Sequence, residues 1–322
     1  MRMRIGRPAA LLCLALVLAL SSCTEARRAA PAVIATGPQG GVYHALGTAF
    51  EEVSADWRVP LTALASGASV ANLEQVGAGE ADLGFALADI AALAVAGDPP
   101  FDSPQPISAL AKLYDNHTHL IVQDGSEVRQ LADLGGALVA LGPEGSGTEL
   151  MSGRLLETAG LMGPEAGPAR VETVTMDLLE STQALAEGEI DALFWSSGIP
   201  AEAVTVLAET TAVRLIDLSE WVGPLTERYG GHYAEVPVPV DAYPGVPGVR
   251  TVGVASLLVA HSGLARGTVD ALTEDLFASR EALVVHHPSI RQLSERAAIG
   301  TLPVPLHPGA ADYFKRVKTA QH

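Results

Sequence analysis

Short apolar runs that end in glycine- or serine-rich turns and lead into helix-patterned stretches recur along this chain. They constrain its fold more than any other feature. Residues 32–35, 59–64 and 83–87 form one such series, and residues 138–141, 171–175 and 190–195 form a second. Helical patterns follow the runs, to about Glu52, to about Gly77, over residues 148–159 and over residues 183–187. Strands alternating with helices predict a parallel sheet covered by helices. Two such blocks predict an α/β protein of two lobes with a cleft between them. Small ligands bind in such clefts, at the carboxyl ends of the strands.

The rest of the chain is read more coarsely. Pro237, Pro239, Pro244 and Pro247, with Gly245 and Gly248, exclude a regular helix or a central strand over residues 236–249. That stretch is expected to cross between the lobes. A strand over residues 251–260, a helix over 268–284, a shorter one over 289–297 and a proline-rich tail around 303–308 are expected to complete the chain.

The N-terminus has a separate logic. Arg2, Arg4 and Arg7 precede an apolar run from Ala9 to Leu20, which ends in Leu20-Ser-Ser-Cys23. The run is shorter than the roughly 20 residues of a membrane-spanning helix. A positive start, a short apolar core and small residues before a break describe a secretory signal peptide. The Leu-Ser-Ser-Cys ending resembles the lipobox of bacterial lipoproteins, which implies a signal peptide over residues 1–22, a lipid on Cys23 and a short tether over residues 23–31. The other cysteine, Cys13, leaves with the leader, so the mature chain can form no internal disulfide.

Losing the three leader arginines takes the formal charge from −17 to −20. Such a surface argues against nucleic acid and against a basic membrane-binding patch. It does not fix the sign of a pocket.

Three turns carry candidate binding groups. Thr36-Gly-Pro-Gln-Gly-Gly-Val-Tyr43 joins a strand to a helix, where glycines admit close approach and free N–H groups favour anions. Ser66-Gly-Ala-Ser69 with Asn72 opens the next helix, as a cap or as ligand contacts. Gly145-Ser-Gly-Thr148 repeats the arrangement in the second block. Two such helix starts on opposite lobes could clamp one carboxylate. Catalytic and metal patterns are weaker. Gly145-Ser-Gly is no nucleophile elbow, and His117 and His119 have only Asp115 nearby as an acidic partner. Asp89 follows a strand and could face the cleft or cap a helix.

Taken as a series, these motifs resemble the TAXI receptors, the solute-binding proteins of one class of TRAP transporter. The series continues with Gly67-Ala-Ser-Val-Ala-Asn-Leu73, Gly77-Ala-Gly-Glu-Ala-Asp-Leu83, Leu110-Ala-Lys-Leu-Tyr114, Asp133-Leu-Gly-Gly136 and Gly142-Pro-Glu-Gly-Ser-Gly-Thr148. It ends with Gly188-Glu-Ile-Asp-Ala192, Tyr243-Pro-Gly245 and Pro305-Leu-His-Pro-Gly-Ala310. The resemblance implies a type II periplasmic-binding-protein fold, with one lobe from residues 32–119 and 241–322 and the other from 120–240. It implies a receptor, held outside the cell membrane by its lipid, that delivers an amino acid, dicarboxylate or 2-oxo acid to a TRAP-type permease. No cofactor, metal or catalysis is implied. The ligand role falls on Gly41, Tyr43, Ser69, Asn72, Ser146, Gly147 and Thr148, with Asp89 and Ser197, and the carboxylate is expected against the Gly40-Gly41 and Ser146-Gly147 turns. The chain departs from the pattern at His44, where a second aromatic is usual, and at Leu87-Ala88, where a polar pair is usual. A ligand less polar than glutamate beyond its carboxylate is therefore expected. Three other readings stay open: a ligand sensor for a membrane kinase, an adhesin or immunogenic lipoprotein with no transport role, and an exported enzyme using Asp89 with His44.

Overall fold

The computed structural model describes residues 30–164 and 166–320. The leader, Cys13, Cys23 and most of the tether lie outside the described residues. The first block runs β1 (Ala32–Ala35), α1 (Val42–Val53), β2 (Leu61–Leu64), α2 (Ser69–Ala78), β3 (Leu83–Leu87) and α3 (Ala88–Ala96). A long strand, β4 (Ile107–Gln123), leads into the second block. That block is β5 (Leu138–Ala140), α4 (Gly147–Thr158), β6 (Glu172–Val174), α5 (Leu178–Glu187), β7 (Ala192–Ser197), α6 (Glu202–Thr210) and β8 (Val213–Leu215). The chain continues through α7 (Val222–Tyr229), β9 (Tyr233–Val238), β10 (Val249–His261), α8 (Arg266–Ala278), α9 (Arg280–His286), α10 (Glu295–Ala298) and α11 (Pro308–Ala320).

The strands form one sheet in the order β2-β1-β3-β10-β4-β7-β5-β6, with β8 on β4 and β9 on β10. Within each block the strands are parallel: β1 with β2 and β3, and β5 with β6 and β7. The two long strands run antiparallel to their neighbours and join the blocks. Residues 107–117 of β4 pair with β10, and residues 117–122 pair with β7. In the same way, residues 249–254 of β10 pair with β9 and residues 256–260 with β3. The expected two-block alternation is present. The paired crossing strands were only half visible, because β4 carries polar Asp115, Asn116, His117 and His119 inside an otherwise apolar run.

One expectation needs correction, and two stretches hold more structure than expected. The proline-rich stretch is neither a regular helix nor a central strand, but its first three residues end an outer strand, β9, whose Pro237 lies opposite Arg250 of β10. β9 pairs with β10 alone, so the missing proline N–H can face away from the ladder. The long helix expected over residues 268–284 is two helices. They break at Ser279 (φ −94°, ψ 5°), whose Oγ accepts the Trp57 indole N–H at 2.8 Å. The proline-rich segment leads into a thirteen-residue helix, α11, that opens on Pro308, because proline is tolerated at the first helical position. Its buried Tyr313 stacks on Phe277, with ring centroids 5.2 Å apart.

The core is continuous through both blocks. Leu73, Leu87 and Ile90 of the first share one apolar cluster with Leu120, Val139 and Leu155 of the second. Side chains of this size each contribute about 1.5–3 kcal/mol when fully buried. Among the described residues, no helix is long and apolar enough to cross a membrane.

Candidate ligand cavity

Five of the six parallel strands end at one place. The turn after β1, the turn after β2, the end of β3, the turn after β5 and the end of β7 surround a small cavity of about 30 Å³. Four helices begin on its wall. Gly41, Val42 and Tyr43 open α1, Ala68 and Ser69 open α2, Leu87 precedes α3, and Ser146, Gly147 and Thr148 open α4. The first N–H groups of each helix have no partner within the helix, and each start carries a partial positive charge. No charged side chain lines this cavity among the described residues.

Local structure fixes each wall. Tyr43 stacks on Phe85 at 5.1 Å, and Phe85 meets Phe50 edge-on at 5.5 Å. Ser256 Oγ donates to the Tyr43 hydroxyl oxygen at 3.0 Å, and Asn116 Nδ2 donates to it at 3.3 Å. Burial pushes the Tyr43 phenol up to about 12. Tyr114, fully buried beside it, is raised well above its ordinary value by the same cause. Both phenols therefore keep their protons.

The hydroxyls at the helix starts are held as acceptors. Ser69 Oγ accepts the Leu87 N–H at 3.1 Å, Thr148 Oγ1 the Ser196 N–H at 3.2 Å, and Ser146 Oγ the Glu149 N–H at 3.1 Å. The Glu149 carboxylate folds back as well, since Glu149 Oε2 accepts from Gly145 N, one residue before the cap, at 2.7 Å. Ala68 has φ 77° and ψ −143°, a region that non-glycine residues rarely occupy. Strain of that kind costs about 1–3 kcal/mol and persists where surrounding structure enforces it. Here it sets the angle at which α2 meets the cavity.

Other polar atoms on the wall have no partner. Tyr114 Oη, Asn116 Oδ1, Trp195 Nε1 and Ser196 Oγ are buried without a hydrogen bond. The blocks meet tightly around them. The Val70 N–H donates to Gly145 O at 3.3 Å, and a Cβ on Gly147 would lie 2.6 Å from Leu87 Cδ1. A side chain at 147 would force the Leu87 and Ser69 side chains to shift.

Of the residues expected from sequence, Gly41, Tyr43, Ser69, Ser146, Gly147, Thr148 and Ser197 line the cavity together. The Ser197 hydroxyl is already donated to Gly198 O at 2.9 Å. Three others lie elsewhere. Gly40 faces an outer groove beside Leu179. Asn72 is buried behind the wall, where its Nδ2 donates to Thr36 O at 2.6 Å and Phe85 O at 2.7 Å, and Ser66 donates to its Oδ1.

Asp89 points away from the cavity into a buried cluster. Arg154 Nη1 donates to Asp89 Oδ2 at 2.6 Å and to Tyr233 Oη at 2.7 Å, and Tyr233 donates to the same carboxylate oxygen at 3.3 Å. The Arg154 guanidinium also sits 4.8 Å above the Tyr229 ring. His44 lines an outer groove with Glu202, Glu209 and His286, so Asp89 and His44 do not share a site. Tyr114, Asn116, Trp195 and Ser196 are cavity residues that sequence reasoning missed. Asn116 lies one residue from the histidines that drew attention, and Trp195 was read only as the end of a strand.

His117 and His119 are both buried. Desolvation lowers both imidazoles, His119 to about 4. His119 Nε2 accepts from the Tyr243 hydroxyl at 3.0 Å, and Tyr243 Oη accepts the Ala201 N–H at 3.1 Å. His119 Nδ1 lies 2.9 Å from the His117 carbonyl.

Comparison with known proteins agrees with this architecture. Residues 34–317 match a family described as NMT1-like. A protein of Bordetella bronchiseptica RB50 aligns at 18% identity and TM-score 0.51, over 90% of this chain and 89% of that one. A structure described as a periplasmic transporter aligns at 14% identity and TM-score 0.51, over 90% and 93% of the two chains. A Xanthomonas citri protein determined with ATP bound aligns at 13% identity and TM-score 0.51, over 90% and 96%. With the two parallel blocks joined by crossing strands, the fold is the mixed α/β type II periplasmic-binding-protein fold.

Proposed function

The chain belongs to the NMT1-like family, and on that premise we propose that it is an extracytoplasmic solute-binding protein that captures a small carboxylate and passes it to a membrane transporter. In this reading residues 32–119 with 241–322 form one lobe and residues 120–240 the other. The lobes open about β4 and β10 and close on the ligand. The transporter is a TRAP-type permease, and a lipid on Cys23 keeps the receptor at the membrane. Gly41, Tyr43, Ser69, Ser146, Gly147 and Thr148 contact the ligand, together with Tyr114, Asn116 and Trp195.

One observation carries this reading: four helix starts converge on a cavity lined by residues with unpaired buried polar atoms and, among the described residues, by no charged side chain. Helix N-termini favour anions through their free N–H groups and dipoles. Contacts from both lobes would make ligand binding and closure one equilibrium, because a ligand shifts conformation only by its differential affinity for the two forms. No acid–base pair lines the cavity among the described residues, which favours binding over catalysis.

The test is thermal melting of the protein against amino acids, dicarboxylates and 2-oxo acids. A bound ligand at about 100 times its dissociation constant adds roughly 2.7 kcal/mol of stability. A melting temperature unmoved by every small carboxylate would sink the receptor reading. Anchoring is tested separately, since Cys23→Ser should move the protein from the membrane fraction to the soluble one.

A further inference from the structure

A solute can enter the cavity only if the two blocks part. At about 30 Å³ it holds roughly two or three waters, each of which needs about 10–15 Å³. Even acetate, with its four heavy atoms, is larger than that. We infer that Asp89 and Arg154 form a reversible latch between the blocks, a contact that breaks each time the cavity opens and keeps opening easy. The inference rests on the receptor reading above only in that a solute has to enter.

The contacts between the blocks are unevenly placed. On one side the Gly40 turn and the start of α1 face α5 and α6 across grooves of about 460 and 550 Å³. On the other side α4 touches the first block at three levels. The Val70 N–H donates to Gly145 O at 3.3 Å, Gly147 abuts Leu87 and Ser69, and Arg154 Nη1 donates to Asp89 Oδ2 at 2.6 Å. Opening must break the contacts along α4, and the ion pair is the charged one among them.

The chemistry of the pair makes it reversible. The Arg154 and Asp89 side chains are 8% and 0% exposed. Two charges taken out of water lose hydration that their attraction offsets only in part, and neutral groups of similar volume hold such a seam at least as well. On opening, that lost hydration is regained by both charges. An apolar seam regains nothing and exposes apolar surface, which costs free energy in proportion to its area. Each charge also keeps partners on its own side. Arg154 Nη1 donates to Tyr233 Oη at 2.7 Å, and its guanidinium lies 4.8 Å above the Tyr229 ring. In the receptor reading both tyrosines belong with Arg154 to the lobe of residues 120–240. Across the seam, Asp89 Oδ1 accepts the Ile90 N–H at 2.9 Å. The two halves of the latch therefore stay in place when they separate and can meet again in the same geometry.

Amide exchange of the full-length protein, read residue by residue by NMR, tests this without a solute. The Val70 N–H has its acceptor in the other block, so its exchange reports parting of the blocks, while amides of the β4–β10 ladder report global unfolding. Asp89→Asn with Arg154→Met makes the seam neutral: the amide can still accept from Ile90 and can donate to Tyr233 Oη, which lies 3.3 Å from Oδ2. This double variant should slow Val70 exchange about tenfold relative to the ladder, because a neutral seam regains less hydration on opening. Arg154→Met alone should do the reverse. It leaves the Asp89 carboxylate buried without a cation, and Val70 exchange should rise about tenfold more than that of the ladder. Val70 exchange that is unchanged or faster in the double variant overturns the latch. So does a rise in the single variant that is equal at Val70 and in the ladder, since the pair would then only stabilise the fold. The double variant decides alone if the single one does not fold. Neither readout depends on which solute binds, so the latch can fail while the melting screen upholds the receptor, and the reverse.

Discussion

At the cavity, Tyr114, Asn116 and Trp195 bury polar atoms that have no partner. Behind the cavity wall, Asp89 of α3 and Arg154 of α4 bury theirs in full contact with each other and with Tyr233. Arg154 is seven residues, about two turns, beyond the Gly147 that opens its helix. So the strands at the cavity wall carry unsatisfied groups, and the helix pair behind it carries satisfied ones. A buried polar group without a partner costs about 1–3 kcal/mol, whereas a paired one does not. The difference separates two jobs. The unpaired atoms are groups a ligand can satisfy. The paired ones tie α3 of the first block to α4 of the second, and they take Asp89 out of the binding surface where its sequence position suggested it.

The strongest challenge to that comparison is Arg154→Met. It leaves the Asp89 carboxylate buried 1% exposed with no cation. The expected loss is about 3–5 kcal/mol of unfolding free energy, read from urea denaturation. Adding Asp89→Asn to the same chain should restore much of it, because a neutral amide needs no cation. A single-variant loss below about 1 kcal/mol would mean that the pair does not hold the blocks together.

A second paired cluster sharpens the point through pH. The native imidazole of His119 titrates near 4, held down by burial and by the neighbouring His117. In the unfolded chain it titrates near 6.5. Between those values the unfolded chain binds a proton that the native one refuses, so stability is fully present above about pH 6.5 and falls as pH drops toward 4. The decline from this residue alone should reach about 3 kcal/mol by pH 4. His119→Gln should flatten that part of the curve when denaturation midpoints at pH 7.5 and pH 4.5 are compared. An unchanged slope would show that His119 is not the group responsible.

The two regions also differ in how far the sequence revealed them. The turns that open α1, α2 and α4 were legible, because a strand followed by glycine and serine before a helical pattern has few other readings. That local signal found six cavity residues, from Gly41 to Thr148, and the family resemblance added Ser197. It could not find Tyr114, Asn116 or Trp195. Those lie within strands β4 and β7, and they reach the cavity only because β4 crosses between blocks and pairs with β7. Arg154 was invisible for the same reason. Its partner is 65 residues away in the chain, and nothing near either residue announces the pair. Asp89 then had two local readings, cap or ligand, and long-range packing gave it a third.

The same change made once in each region has the smallest expected effect and discriminates best. Tyr243→Phe removes a hydroxyl that accepts the Ala201 N–H and donates to His119. Two partners are left unsatisfied, so about 1–3 kcal/mol of stability should be lost. Tyr114→Phe removes a hydroxyl with no partner in the ligand-free protein. There the deletion relieves a buried polar atom, and stability should stay level or rise by up to about 1 kcal/mol. Binding should move the opposite way: Tyr114→Phe weakens whichever carboxylate the melting screen identifies, whereas Tyr243→Phe, which does not line the cavity, leaves affinity near its original value at temperatures where the variant is folded. Melting curves with and without the acid measure both effects on the same samples. If Tyr114→Phe destabilised the free protein as much as Tyr243→Phe does, the Tyr114 hydroxyl would have to be satisfied within the protein, and the contrast between the two regions would be lost.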